Sequence, residues 1–169
     1  MKKFIRIVAL ALVALFIVGC GQKEAEKKTD VYSYQQDVAG VKQEITETLT
    51  YKGDEFLAIG VKIVQPTDEA TKATFEGVDF DTVKDLMLSY LKETEGFKQL
   101  LKTEGVETTI DMTEDYTITI EINIDLTKAD LEALSDTGEL GFDFTSFEDT
   151  TPEAYIQFLK DEYGATLVK

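Results

Sequence analysis

Residues 116–126 read YTITIEINIDL, and every second position in this stretch is apolar. Tyr116, four isoleucines and Leu126 would face one way, while threonine, glutamate, asparagine and aspartate face the other. Such alternation is typical of a β-strand that is buried on one side only. A sheet with one apolar and one polar face is in turn typical of antiparallel pairing, with one face packed and the other solvated.

Two hairpins are predicted around this pattern. Residues 106–112 alternate in the same way and would reach the strand through a turn at Glu114 and Asp115. Upstream, residues 41–51 and 55–64 would form a second hairpin, with a turn at 52–54 and Pro66 as its end. The apolar face of this second hairpin is predicted to hold Val41, Ile45, Leu49 and Tyr51 from the first strand and Leu57, Ile59, Val61 and Ile63 from the other.

Helices are predicted between and after the hairpins. Residues 79–103 have apolar spacing of three and four, with Asp79 as N-cap and a break at Gly96. Thr127 is predicted to cap a short helix, and Pro152 to begin a last one. A loop at 138–150 and a short strand at 165–168 complete the chain. The order predicts an α+β fold: an antiparallel sheet built from hairpins, with helices packed on one face.

The first twenty residues predict export and lipid attachment. Lys2, Lys3 and Arg6 precede an apolar run that ends at Gly19 and Cys20. The run is too short for a transmembrane helix, which needs about 20 residues, and it has the layout of a secretory signal. Because Cys20 follows a small residue and precedes a polar stretch, it is the expected lipidation site. The predicted organisation is a signal peptide at 1–19, a flexible tether at 20–30 and one globular domain at 31–169. The expected location is the extracytoplasmic face of a cell membrane, or an outer membrane if the host has two.

Composition excludes several kinds of chemistry. Removing Lys2, Lys3 and Arg6 with the signal takes the formal charge from −16 to −19, so a nucleic-acid partner is not expected. The chain has no histidine and a single cysteine, which removes Ser-His-Asp and Cys-His catalysis and ordinary zinc sites. No glycine-rich phosphate loop is present. We therefore predict no cofactor, no metal site and no catalytic residues.

The remaining candidates are carboxylates and one polar surface. Asp143 and Glu148 adjoin Phe142, Phe144 and Phe147 in the predicted loop, where a small apolar cluster is the favoured interpretation. Acidic groups also gather near a turn and at a helix start, where turn and dipole effects favour them without any bound ion. These groups are Asp111, Glu114 and Asp115, and Asp79, Asp81 and Asp85. The polar sheet face (Thr117, Thr119, Glu121, Asn123) is either a recognition surface or simply the wet side of the sheet.

Several segments together resemble the YehR-like family of small bacterial lipoproteins, a domain of unknown function. They are the lipobox ending at Cys20, TLTYKGDEFLAIGVKI at 48–63, GVETTIDMTEDYTITIEINIDLTKADLEAL at 105–134 and PEAYIQFLKDEYGA at 152–165. The resemblance implies a compact α+β domain on a lipid anchor. It supplies no catalytic residues.

The sequence thus predicts a membrane-anchored extracytoplasmic lipoprotein that acts as a non-catalytic binding or interaction module. Its expected partners are the membrane, through the lipid on Cys20, and an envelope protein or small ligand. Two alternatives stay open. The many carboxylates allow a hydrolase of envelope glycans, and the negative charge allows a binder of divalent cations or cationic ligands.

Overall fold

The computed structural model describes residues 25–38, 40–135 and 144–169. Long strands open the chain, helices follow, a second hairpin returns to the sheet, and helices close it. The strands are β1 (Lys27–Val38), β2 (Val41–Lys52), β3 (Glu55–Pro66), β4 (Val106–Met112), β5 (Thr117–Asp125) and β6 (Thr166–Leu167). The helices are α1 (Glu69–Thr74), α2 (Phe80–Glu93), α3 (Glu95–Lys102), α4 (Leu131–Ser135), α5 (Ser146–Asp149) and α6 (Pro152–Tyr163).

The six strands form one antiparallel sheet in the order β4-β5-β3-β2-β1-β6. The two predicted hairpins are both present, and they join where β3 pairs with β5. Ile59 lies opposite Leu49 on one side and Ile124 on the other, so the apolar faces of both hairpins form a single surface. The predicted α+β fold is confirmed.

The helices cover this apolar surface. Phe97 and Leu100 from α3, Leu131 and Leu134 from α4, and Leu159 from α6 are all buried against the sheet. Local signals fix where the last helix lies. The Thr151 hydroxyl accepts a hydrogen bond from the Ala154 N–H, Pro152 occupies the first turn, and Gly164 ends the helix with a φ of 64°. The start at Pro152 was predicted from the sequence, and the caps at the two ends hold Leu159 in register over the sheet.

Two helix boundaries differ from the predictions. The long helical segment breaks at Thr94, not Gly96. Thr94 is extended, and its hydroxyl donates to the Leu91 carbonyl and accepts from the Phe97 N–H, so one residue ends α2 and caps α3. Likewise Asp130, not Thr127, caps α4, because its carboxylate accepts from the Ala133 N–H. The Thr127 hydroxyl instead donates to Asp125.

Three strand features also differ. β1 begins at Lys27, so Lys27–Asp30, which the sequence assigns to the tether, pair with the end of β2. Tyr116 precedes β5 in a turn with a φ of 61° rather than beginning the strand. A register shift sets Tyr51 opposite Phe56 and Thr50 opposite Ala58. This bulge leaves Leu57 without a partner across the strand pair and turns Phe56 into the core in its place.

No helix in the described ranges has the length and apolar character needed to cross a bilayer.

Candidate functional site

The side of the sheet that faces away from the core, here called the open face, carries polar residues from each of the long strands. Three cross-strand rows define its centre. Thr48, Gly60, Asn123 and Glu107 form the middle row. Thr50, Ala58 and Asp125 form the row on one side, and Thr46, Lys62 and Glu121 the row on the other. The predicted polar face (Thr117, Thr119, Glu121, Asn123) belongs to this surface, as the alternation in residues 116–126 requires.

A groove runs along β3 on the open face. Ala58 and Gly60 form its floor, because both are smaller than their neighbours on β2 and β5. A Cβ atom on Gly60 would lie 2.8 Å from Asn123 Oδ1 and 3.4 Å from Thr48 Cβ, so only glycine leaves room for these two side chains in the middle row. The groove has a volume of about 610 Å³, and the segment 103–107 and Lys128 form its wall. This volume falls in the range of small-molecule sites, about 300–1,000 Å³. We call it the Gly60 groove.

The groups at the two ends of the Gly60 groove are already paired. At one end, where a smaller hollow adjoins the groove beyond Gly60, Lys62 Nζ lies 2.8 Å from Glu121 Oε1. At the other, Lys128 Nζ lies 2.7 Å from Asp125 Oδ2, and the Thr127 hydroxyl donates to the other oxygen of the same carboxylate. The Lys128 ammonium, followed by the Thr127 hydroxyl, lowers the pKa of Asp125 to about 2. Both lysines are therefore offset by a carboxylate at close range.

The middle of the groove is different. Within the described ranges Thr48, Asn123 and Glu107 have no side-chain hydrogen bond or ion pair. Glu104, on the wall, is different: after Asp125, its charge helps to raise the pKa of Lys128. A hydroxyl, an amide and one carboxylate without a partner thus face solvent around a floor of small residues. This arrangement can donate and accept hydrogen bonds and can hold a positive charge.

A second polar feature lies on the opposite side of the sheet. Glu47, in the middle of β2, is 0% exposed and is the one charged residue buried among the described residues. The Tyr34 hydroxyl donates to Glu47 Oε1 at 2.7 Å, and the Tyr155 hydroxyl donates to Oε2 at 2.9 Å. Since Tyr155 belongs to α6, these two hydrogen bonds tie the last helix to the centre of the sheet.

Burial dominates the electrostatics of this cluster. It raises the pKa of Glu47 above the ordinary 4.5, and the hydrogen bonds from the two tyrosines only partly offset the effect. Burial and the neighbouring Glu47 also raise the pKa of Tyr34 and Tyr155, so both remain donors at all ordinary pH values. Glu47 has no solvent-accessible surface. Its geometry is that of a structural carboxylate that holds two hydroxyls.

The pH dependence of stability should report this carboxylate. Because the folded protein binds the Glu47 proton more tightly than the unfolded chain, the contribution is most favourable below pH 4.5 and is lost as pH rises through the higher folded pKa. Glu47→Gln keeps the shape and cannot ionise. We expect the free energy of unfolding of the variant to rise relative to that of the wild type as pH increases above 4.5. The rise should be up to about 1.4 kcal/mol per pH unit until the folded pKa of Glu47 is passed.

Urea unfolding of both proteins between pH 4 and pH 9 would measure this difference. Asp115 has a lowered pKa and acts in the opposite direction, but it is present in both proteins and cancels. A stability difference that stays constant with pH would contradict the assignment.

Three of the other acidic candidates have structural roles. Asp79 caps α2, Asp111 pairs with Lys84 at 2.6 Å, and Asp115 accepts from Thr113 and Thr117 around its turn. Glu148 is exposed, while its neighbours Phe144 and Phe147 join the main core rather than a separate cluster. No group of three potential ligands that could hold a metal ion occurs within the described ranges. Asp143 and the predicted lipidation site Cys20 lie outside those ranges.

Sequence reasoning missed Glu47 and the small residues under the groove. Glu47 has the same parity as Ile45 and Leu49, so a charge in the apolar register was visible in the sequence. Gly60 interrupts a strand, which commonly marks a bulge or a close approach of another group. Neither signal identifies the partner, because Tyr155 and Asn123 come from distant parts of the chain.

Comparisons with known proteins agree with this architecture. A protein-family model matches residues 24–159, well over half of the chain. An NMR structure of a protein from Streptococcus pneumoniae TIGR4 is similar, with a TM-score of 0.68, 16% identity and 88% of each chain covered. The NMR structure of YehR from E. coli is similar with a TM-score of 0.56 and 18% identity, over 86% of this chain and 93% of that one. No curated protein sequence matches the chain. The two structural likenesses concern the fold; with the family match, they lead to one conclusion: the chain belongs to the YehR-like family.

Proposed function

We propose that this protein is a lipid-anchored, extracytoplasmic binding module, and that the Gly60 groove is its binding surface. One observation carries the proposal: the middle row of the open face combines a floor without side chains and polar groups that have no partner of their own. On an ordinary solvated sheet face, side chains of neighbouring strands fill such a row.

The anchor adds a physical reason for binding. A domain held at a membrane meets other envelope components at a raised effective concentration, so modest intrinsic affinity is sufficient. The lipobox pattern at Cys20 supports the anchor, and two acyl chains provide stable attachment at about 0.8 kcal/mol per buried CH₂.

A binding role is favoured over catalysis by the placement of the carboxylates. A glycosidase needs two carboxyl groups about 5–10 Å apart across a substrate cleft, one of them with a raised pKa. Among the described acids, the pKa is raised for Glu47, but both of its oxygens accept from tyrosine hydroxyls and the residue is fully buried. A divalent-cation site is a weaker candidate, because the described acids at the ends of the groove are paired with lysines.

Ligand-dependent melting tests the groove. The wild-type protein, purified with its anchor in detergent, would be melted against polyamines, peptides and glycan fragments and followed by circular dichroism. A ligand at a hundred times its Kd stabilises by about 2.7 kcal/mol. Gly60→Val should abolish the response, since the added side chain fills the floor. Thr119→Val, on β5 and on the same face of the sheet but outside the groove, should retain it. An undiminished response in Gly60→Val would overturn the groove as the site.

Lipid attachment has its own test. Cys20→Ala is expected to abolish incorporation of labelled palmitate and to release the protein from the membrane fraction, because the acylated thiol is lost. Cells expressing wild type and variant would be labelled, fractionated and compared by autoradiography. Label that persists in the variant would show that the lipobox interpretation is wrong.

A further inference from the structure

The Gly60 groove offers a specific set of contacts rather than a general negative field. Asn123 and Thr48 lie on either side of Gly60 in the middle row, and Glu107 continues that row on β4. Hydroxyl and amide side chains recognise ligand hydroxyl groups, because each can donate and accept. A carboxylate without a partner recognises a positively charged hydrogen-bond donor, such as an ammonium group.

The ion pairs at the ends of the groove determine where an unpaired charge remains. Lys62 and Lys128 are each within 2.8 Å of a carboxylate oxygen, so their charges are largely offset. The charge left without a partner in the groove is that of Glu107, because Glu104 acts on Lys128. It lies toward β4, while the hydroxyl and amide groups lie toward β2, so charge and hydrogen-bonding groups are separated along the row.

We infer that the Gly60 groove binds a molecule that carries a primary ammonium group next to hydroxyl groups, with the ammonium at Glu107 and the hydroxyls at Thr48 and Asn123. An amino sugar with a free amine has this chemistry, as a monosaccharide or as a unit of a glycan. The inference rests on the proposed function and names the ligand class for the same groove.

Paired probes test the class. Binding of glucosamine, N-acetylglucosamine and a short glucosamine oligomer to the wild-type protein would be measured by titration calorimetry at low and high salt. We expect glucosamine to bind and N-acetylglucosamine to bind at least about tenfold more weakly, since acetylation removes the charge. The difference should shrink in high salt. Tighter binding of the oligomer would identify a glycan as the source of the ammonium. Equal affinity per sugar unit would identify a free sugar.

Two variants separate this inference from the proposed function. Glu107→Gln should weaken glucosamine binding about tenfold or more. The control is Glu114→Gln, because Glu114 is an exposed acid in the β4–β5 turn and lies outside the groove. It makes the same charge change and should leave the affinity unchanged. Equal loss in both variants would overturn the inference. If N-acetylglucosamine binds as well as glucosamine and Gly60→Val abolishes both, the ammonium class fails and the groove stands. If Gly60→Val changes the binding of none of the probes or panel ligands, the proposed function fails as well.

Discussion

Glu47→Ala is expected to destabilise the protein by about 3 kcal/mol. The substitution leaves the hydroxyls of Tyr34 and Tyr155 buried without an acceptor, and each such group costs about 1–3 kcal/mol. It also leaves a cavity beneath α6. Removal of a buried carboxyl returns part of this cost, because its desolvation no longer opposes folding. Urea unfolding at pH 7 measures the net effect.

A matched control lies on the same strand. Glu44 is three residues before Glu47 but exposed on the open face, so Glu44→Ala should change stability by no more than about 0.5 kcal/mol. If both variants unfold alike, the carboxylate of Glu47 does not hold the two tyrosines. Partial retention of stability in Glu47→Gln, together with the loss in alanine, would identify the hydrogen bonds rather than the charge as the stabilising element.

The fold could be predicted from the sequence wherever a local pattern has a single structural solution. Residues 116–126 alternate so regularly that one side of the strand had to be buried, and the two hairpin turns followed from short polar segments between such strands. Thr151 and Pro152 likewise define the start of the last helix. These features depend on residues close together in the chain, so a single sequence was enough.

Boundaries failed where two local signals competed. Gly96 disfavours a helix, but Thr94 can satisfy both helix ends with its own hydroxyl, and the helix breaks there. Thr127 and Asp130 can both act as caps, and Asp125 occupies the Thr127 hydroxyl. The outcome in each case depends on a hydrogen bond whose partner lies in the neighbouring turn, which propensity does not resolve.

The site was less predictable than the fold, because it depends on contacts between strands. The sequence identified Glu121 and Asn123 as part of a polar face. It did not show that Gly60 lies beside Asn123, since this requires the register between β3 and β5. The bulge at Leu57 makes the register between β2 and β3, which places Thr48 beside Gly60, hard to infer as well. The same strands thus carry a core on one side, which the alternation predicts, and a groove on the other, which only the pairing reveals.

Leu100→Ala and Leu101→Ala should differ sharply in stability, although they are adjacent in α3. Leu100 is 0% exposed and packs against the sheet, whereas Leu101 is 54% exposed. Leu100→Ala is expected to cost about 3 kcal/mol, through lost burial and the cavity left behind, and to lower the Tm by about 6–12 °C. Leu101→Ala should change stability by no more than about 0.5 kcal/mol. Thermal melts followed by circular dichroism would measure both. Because helix propensity changes equally in the two variants, the difference isolates packing of α3 on the sheet, and similar costs would mean that α3 does not close the core as described.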